Sequence, residues 1–342
     1  MGLLRSLARE GLIFRDRLAA QLSWQASRRH FRPDYILRKW EGARDFGSSK
    51  KIAILVHFSS NKFFADYFVY LLRALDDAGF STIVVSNAKK IDDESAEAIR
   101  PWCGRLIHRK NVGYDFGAWR DAITASPEVA AAEQLLIVND SIFGPTHSLA
   151  EILERCRFDQ ADVWGMTDSF DGRYHLQSYF VLFGTKALRS EAFAKFWRTA
   201  RYVGHKHAVI HKLEVGLSQA MLKAGFKLQA LYPYRRLARA VVDRALAAVA
   251  DEGSQRHPLH QAYLDRLLTG VNAGYPLNPT HYFWDYLITE LRFPFIKREL
   301  LEKNPVAIPL LANWAAVVES SSDYPVRLIE EHLQTTARNR VF

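Results

Sequence analysis

Four polar stretches stand at the ends of apolar runs, and their side chains suit one kind of chemistry. Gln134-Leu-Leu-Ile-Val138 runs into Asn139-Asp140-Ser141, Ile52-Ala-Ile-Leu-Val56 into His57, and Thr82-Ile-Val-Val85 into Ser86-Asn87. Arg105 to His108 is followed by Asn111-Val-Gly-Tyr-Asp115. Amide, hydroxyl and carboxylate groups gathered at strand ends can hold a nucleoside diphosphate, and a carboxylate on a later helix can take a proton from an alcohol. Other chemistries lack their motifs. The turn His57-Phe-Ser-Ser-Asn61 has no glycine, which excludes GxGxxG and Walker A loops, and there is no GxSxG elbow or HExxH.

The elements that must position these groups follow from periodicity. Strand-length apolar runs at 52–56, 82–85, 105–108 and 134–138 alternate with helical patterns at 63–77 and 115–125. This predicts an α/β, Rossmann-like, mostly parallel sheet flanked by helices. Ligands of such sheets sit beyond the carboxyl ends of the strands, so His57, Asn87, Asn111 and Asn139-Asp140 should share one rim. Further on, 177–184 reads as a strand that adds an edge, and 191–201, 209–223, 237–250 and 259–268 as helices. The expected division is a basic amphipathic N-terminal segment at 1–48, a catalytic domain at 49–235 and a helical C-terminal extension at 236–342 that completes the site.

Composition sets outer bounds. The 342 residues are 49% hydrophobic and 24% charged, ordinary values for a globular chain that folds without disulfides. Cys103 and Cys156 form no CxxC pair, which fits a reducing, cytoplasmic setting. The net charge of +9 is spread along the chain without a stripe beside stacking aromatics, so no nucleic-acid partner is expected. Basic residues are densest before Lys39, where Leu3, Leu7, Phe14 and Leu18 recur at helical spacing. That pattern suits a helix on an anionic membrane surface, or one docked on its own domain. No apolar run is long enough to span a bilayer.

Four ordered blocks carry a family resemblance. Asn111-Val-Gly-Tyr-Asp-Phe-Gly-Ala-Trp119, Leu135-Leu-Ile-Val-Asn-Asp-Ser-Ile-Phe-Gly-Pro145, His175-Leu-Gln-Ser-Tyr-Phe180, and Asn278-Pro-Thr-His-Tyr-Phe-Trp-Asp285 with Phe293-Pro-Phe-Ile-Lys-Arg-Glu299 resemble the rhamnan synthesis protein F family over about residues 51–310. The resemblance implies a GT-A-like inverting glycosyltransferase that moves L-rhamnose from a nucleotide donor, dTDP-L-rhamnose, to a lipid-linked glycan in bacterial surface polysaccharide or O-antigen synthesis. It implies a peripheral place on the inner face of the cytoplasmic membrane. A GT-A transferase for another sugar, or a degenerate scaffold in polysaccharide assembly, are the alternatives.

By the same resemblance, the loop of Asn111, Gly113 and Asp115 helps to hold the donor; His57 and Asn87 are expected to join it from their places on the same rim. Asn139-Asp140-Ser141 stands where GT-A enzymes carry the DxD that binds a divalent cation, Mg²⁺ or Mn²⁺, with Asp140 as the metal ligand and a catalytic residue. Because Asn139 and Ser141 replace the outer carboxylates, Lys297, Arg298 or His281 on a closing C-terminal loop could stabilise the leaving phosphates without a metal. Glu214 matches the general-base position of inverting GT-A enzymes, with Asp168 and Asp171 as rivals for base or acceptor binding. His175, Gln177 and Ser178 precede a strand on the acceptor side and could bind sugar hydroxyls. Trp119, Tyr174 or Trp284 could stack on a sugar.

Overall fold

The computed structural model describes residues 15–46, 50–59, 63–250, 258–309 and 311–338. Leu3, Leu7 and Phe14 of the expected amphipathic pattern lie outside the described residues, as do Gly47, Ser48 and Ser49 at the expected boundary between the N-terminal segment and the catalytic domain. Among the described residues eleven strands form in chain order: β1 (Ile36–Glu41), β2 (Lys51–His57), β3 (Ser81–Ser86), β4 (Arg105–Arg109), β5 (Gln134–Asn139), β6 (Ile142–Phe143), β7 (Val163–Ser169), β8 (His175–Leu176), β9 (Phe180–Gly184), β10 (Leu228–Tyr232) and β11 (Ile296–Lys297).

The expected α/β class, a sheet flanked by helices, is the one observed: a nine-stranded sheet in the order β1-β4-β3-β2-β5-β9-β7-β10, with β8 on β7, and helices on both faces. The strip β4-β3-β2-β5 is parallel, and the order reverses between β2 and β5, where ligand crevices open in such sheets. Next to it lies the segment expected to form an edge. Instead, β9 is interior and antiparallel to both β5 and β7. Its residues Phe-Val-Leu-Phe-Gly are all buried, and apolar side chains on both faces of a strand require cover on both sides. The true edges are β1, antiparallel to β4, and β10, parallel to β7.

Alternation along the strands builds two cores. Ala53, Leu55, Val84, Leu106, Leu136 and Val138 face the helix Asp66–Asp77 and the C-terminal helices. Ile52, Ile54, Val56, Ile83 and Ile137 face the helices Tyr114–Ala125, Glu191–Thr199 and Val215–Lys223. Helix Asp66–Asp77 buries Tyr67, Phe68, Leu71, Leu72 and Leu75, each contributing roughly 1.5–3 kcal/mol. Trp119 and Trp284 belong to these cores and are 0% and 6% exposed, so neither presents a ring to a sugar.

The N-terminal helix at 15–26 docks by one face. Ala20 and Trp24 pack on the second core, and Arg201 donates to the Trp24 carbonyl at 2.8 Å. Asp16 pairs with His205 and His207 at 3.3 and 2.9 Å. Leu18 and Leu22, one turn apart, stay exposed.

Candidate active site

The Asn111 loop is moulded around a buried guanidinium. Arg109, wholly buried at the end of β4, donates to Asp121 Oδ2 (2.7 Å), Asn87 Oδ1 (2.8 Å) and the Val112 carbonyl (2.9 Å). The chain then turns through Gly113, at φ +82°, into the helix Tyr114–Ala125, with Asp115 in its first turn. A Cβ on Gly113 would lie 2.9 Å from Tyr202 Cα. Gly113→Ala should therefore cost about 1–3 kcal/mol of stability from left-handed strain alone. Urea unfolding measures this; an unchanged midpoint would contradict the stated role of the glycine.

From Asp115 a chain of hydrogen bonds crosses the crevice. Asn139 Nδ2 donates to Asp115 Oδ2 at 2.7 Å, and Asn139 Oδ1 accepts from the Ser141 N–H (3.2 Å) and hydroxyl (2.5 Å). The Ser141 oxygen accepts from Lys297 Nζ at 2.9 Å. Asp140 Oδ2 accepts from the Phe58 N–H at 2.9 Å and lies 3.4 Å from Arg298 Nη1, which also donates to Tyr67 and to the Asp140 carbonyl. Burial pushes the Asp140 carboxyl upward against the pull of Arg298. Burial also lowers Lys297 to about 8, although Glu214 and Asp115 favour its charge.

Asp115 is raised to about 6 by burial and by the Asp140 charge. A carboxyl whose folded value exceeds its unfolded one favours folding while protonated, and that contribution disappears as pH rises through about 6. Asp115→Asn keeps an acceptor for Asn139, so it should be more stable than the parent chain at pH 8, the difference vanishing near pH 4. Denaturant midpoints at the two pH values test this; a constant difference would contradict it.

Glu214 sits where the helix changes winding. Lys206–Val209 is α-helical, Ile210–Glu214 forms a π-turn and Val215–Lys223 resumes the α-helix. Such turns re-aim side chains and recur at functional sites. One oxygen of Glu214 accepts from the Ser178 N–H at 3.0 Å and from the Ser178 hydroxyl; the other lies 3.4 Å from His175 Nε2. His175 Nδ1 is 2.8 Å from the Arg173 carbonyl, which keeps a proton on that nitrogen and turns Nε2 to Glu214. Burial acts to raise Glu214, but His175 and Ser178 outweigh it and hold the carboxyl below its ordinary value.

The remaining expected residues are placed less uniformly. His57 is buried between Phe64 and Phe68, on Ser86 Oγ at 3.0 Å, and burial lowers it to about 3. The Asn87 oxygen is held by Arg109, whereas Asn111 is exposed at the rim. His281 is buried near the Lys297 charge, and burial lowers it to about 4. Asp168 accepts from the Tyr234 N–H at 2.5 Å, and Gln177 accepts from Thr167 at 2.7 Å, so both tie neighbouring segments together. A cleft of about 480 Å³ adjoins Asp140, lined by His57, Phe58, Tyr67, Arg298, Glu302 and His332. Tyr67, Glu302 and His332 carry no sequence motif. Arg109 did carry a signal, a basic residue at a strand end directly before the Asn111 loop.

A polar crevice beyond the carboxyl ends of the parallel strands thus holds the Glu214 carboxylate on one side and the Lys297 and Arg298 cations on the other. Residues 82–248 match the sequence model of the rhamnan synthesis protein F family, the family resembled by the blocks at 111–119, 135–145 and 175–180. The chain is also 31% identical over 189 residues to the y4gN protein of Sinorhizobium fredii, covering 54% of this chain and about half (49%) of that protein's length. It is 28% identical over 286 residues to the virulence protein VirA of Vibrio anguillarum, covering 82% and 88%. Among solved structures, the mannosyltransferase PcManGT of Pyrobaculum calidifontis, in complex with GDP-Man and Mn²⁺, is similar over 96% of this chain and 88% of its own, at 12% identity and a TM-score of 0.35.

Proposed function

We propose that this chain transfers L-rhamnose from dTDP-L-rhamnose to a lipid-linked glycan acceptor during synthesis of a bacterial surface polysaccharide, with inversion at the anomeric carbon. The observation that carries this reading is the pairing, at one rim, of the Asp115-Asn139-Ser141-Lys297 chain with the His175- and Ser178-held Glu214 carboxylate. The family match supports the sugar. In the reaction, the acceptor hydroxyl gives its proton to Glu214 while its oxygen attacks the anomeric carbon. The bond to the nucleoside diphosphate breaks, and the electron pair leaves on the phosphate oxygen. The Asn111 loop, Asp115 and Asn139-Asp140-Ser141 hold the donor, with His57 and Asn87 beneath it; Asp168, His175, Gln177 and Ser178 form the acceptor side.

In this reading residues 49–235 are the catalytic body, residues 236–342 complete its rim, and residues 1–48 bring it to the inner face of the cytoplasmic membrane. Leu18 and Leu22 are exposed beside Arg15 and Arg17, as a helix resting on anionic lipid requires. No helix among the described residues is long and apolar enough to cross a membrane.

The test is a thermal-shift series with dTDP-L-rhamnose, UDP-glucose and GDP-mannose, followed by transfer of labelled sugar to membrane-extracted acceptor. A ligand at about 100 times its Kd stabilises the folded state by about 2.7 kcal/mol. Stabilisation and transfer with dTDP-L-rhamnose are expected. Response to another sugar nucleotide would replace the donor, and no response to any of them would favour a scaffold.

A further inference from the structure

We propose that the positive charge acting on the donor diphosphate comes from the side chains of Lys297 and Arg298 and not from a divalent cation; this rests on the transferase reading above. Mg²⁺ and Mn²⁺ take several hard oxygen ligands, carboxylates foremost. The residues at the DxD-like position do not fit such an ion. Their one carboxylate, Asp140, accepts the Phe58 N–H at 2.9 Å and faces Arg298 at 3.4 Å. The Asn139 oxygen accepts two protons from Ser141, and the Ser141 hydroxyl accepts from the Lys297 ammonium at 2.9 Å. A metal bound there would meet two fixed cations within the same shell.

The fold fixes those cations to the loop through its backbone. β11 pairs antiparallel with β6, with Lys297 opposite Ile142 and Ile296 opposite Phe143, and the Arg298 N–H donates to the Ser141 carbonyl at 3.0 Å. Both side chains are thereby oriented before any ligand arrives, which is what makes a charge effective on developing negative charge. Lys297 lies over the Tyr179 ring at 3.9 Å. Arg298 Nε is a buried donor without a partner among the described residues, and Arg298 lines the cleft beside Asp140. During transfer, the electron pair of the breaking sugar–oxygen bond passes to the leaving phosphate and is met by these two groups, while the acceptor proton passes to Glu214.

Titration calorimetry of the full chain with dTDP, UDP and GDP, in excess EDTA or excess Mn²⁺, tests this. One nucleotide should bind equally well in both media. Lys297→Met and Arg298→Gln should each weaken it about tenfold or more, the worth of a charge-assisted hydrogen bond, without rescue by Mn²⁺. Lys297→Arg should restore most of the loss, and circular dichroism reports whether each variant folds. Binding that requires Mn²⁺, or that survives both substitutions, overturns the proposal and leaves the transferase reading standing. Absence of binding to any nucleotide in either medium, with no sugar nucleotide consumed, overturns both. Should Lys297→Met not fold, the metal comparison and Arg298→Gln decide.

Discussion

Glu214→Gln is expected to lower turnover by about 10²–10⁴-fold, the contribution of a positioned general base, while leaving nucleotide affinity close to that of the parent chain. The glutamine can be accommodated. Its oxygen can accept from the Ser178 N–H and hydroxyl as the carboxylate does, and its NH₂ can donate to a neutral His175 Nε2, since Nδ1 faces the Arg173 carbonyl. What is lost is the proton acceptor. Initial rates at saturating donor measure the effect, and a kcat within a few-fold of the parent would remove Glu214 from the role of base. The pH profile offers a second reading. His175 and Ser178 hold Glu214 below its ordinary 4.5, so the parent chain keeps its base ionised until the pH falls through that lowered value. His175→Phe removes the first of those partners, and the acid limb should move to higher pH.

Asp121→Ala is expected to destabilise the fold by about 3–5 kcal/mol, because it leaves a fully buried guanidinium without its counter-charge. Both side chains of the Arg109–Asp121 pair are 0% exposed at 2.7 Å, and the Tyr202 hydroxyl donates to the other Asp121 oxygen. The loss should reach the site as well as the core. Arg109 also holds Asn87 and the Val112 carbonyl, so the Asn111 loop loses its support and nucleotide binding should weaken with stability. Urea unfolding with and without nucleotide measures both effects. An Arg109→Met, Asp121→Leu double variant, which buries no charge, should recover much of the stability but not the binding. Equal recovery of both would show that the pair does not shape the loop.

Much of the parallel half of the sheet is legible in the sequence. Runs such as Ile52–Val56 and Gln134–Val138 are strand-length and apolar on both faces, and only a covered sheet accepts that pattern. The polar residues ending those runs necessarily reach one rim, because parallel strands end on the same side. β7 was harder to read, since Gly165, Thr167, Asp168 and Ser169 interrupt its apolar character. The glycine is explained only by the segment beside it, where a Cβ would meet the Leu176 side chain at 3.1 Å. Strand β1 was hidden in a basic stretch whose charged side chains suit an exposed edge.

The sequence by itself determined the class of sheet, the rim that bears Asn87, Asn111 and Asn139-Asp140-Ser141, and the residue types available there, because strand periodicity and turn chemistry are local. Tertiary structure alone decided how those residues are used. Lys297 meets Ser141 across 156 positions of chain and Arg298 meets Asp140 across 158, through a two-residue pairing with no periodic signal. A π-turn brings Glu214 to Ser178, 36 residues away. Such contacts depend on which buried polar group finds which partner once the cores have closed, a selection governed by desolvation and hydrogen bonding across the fold.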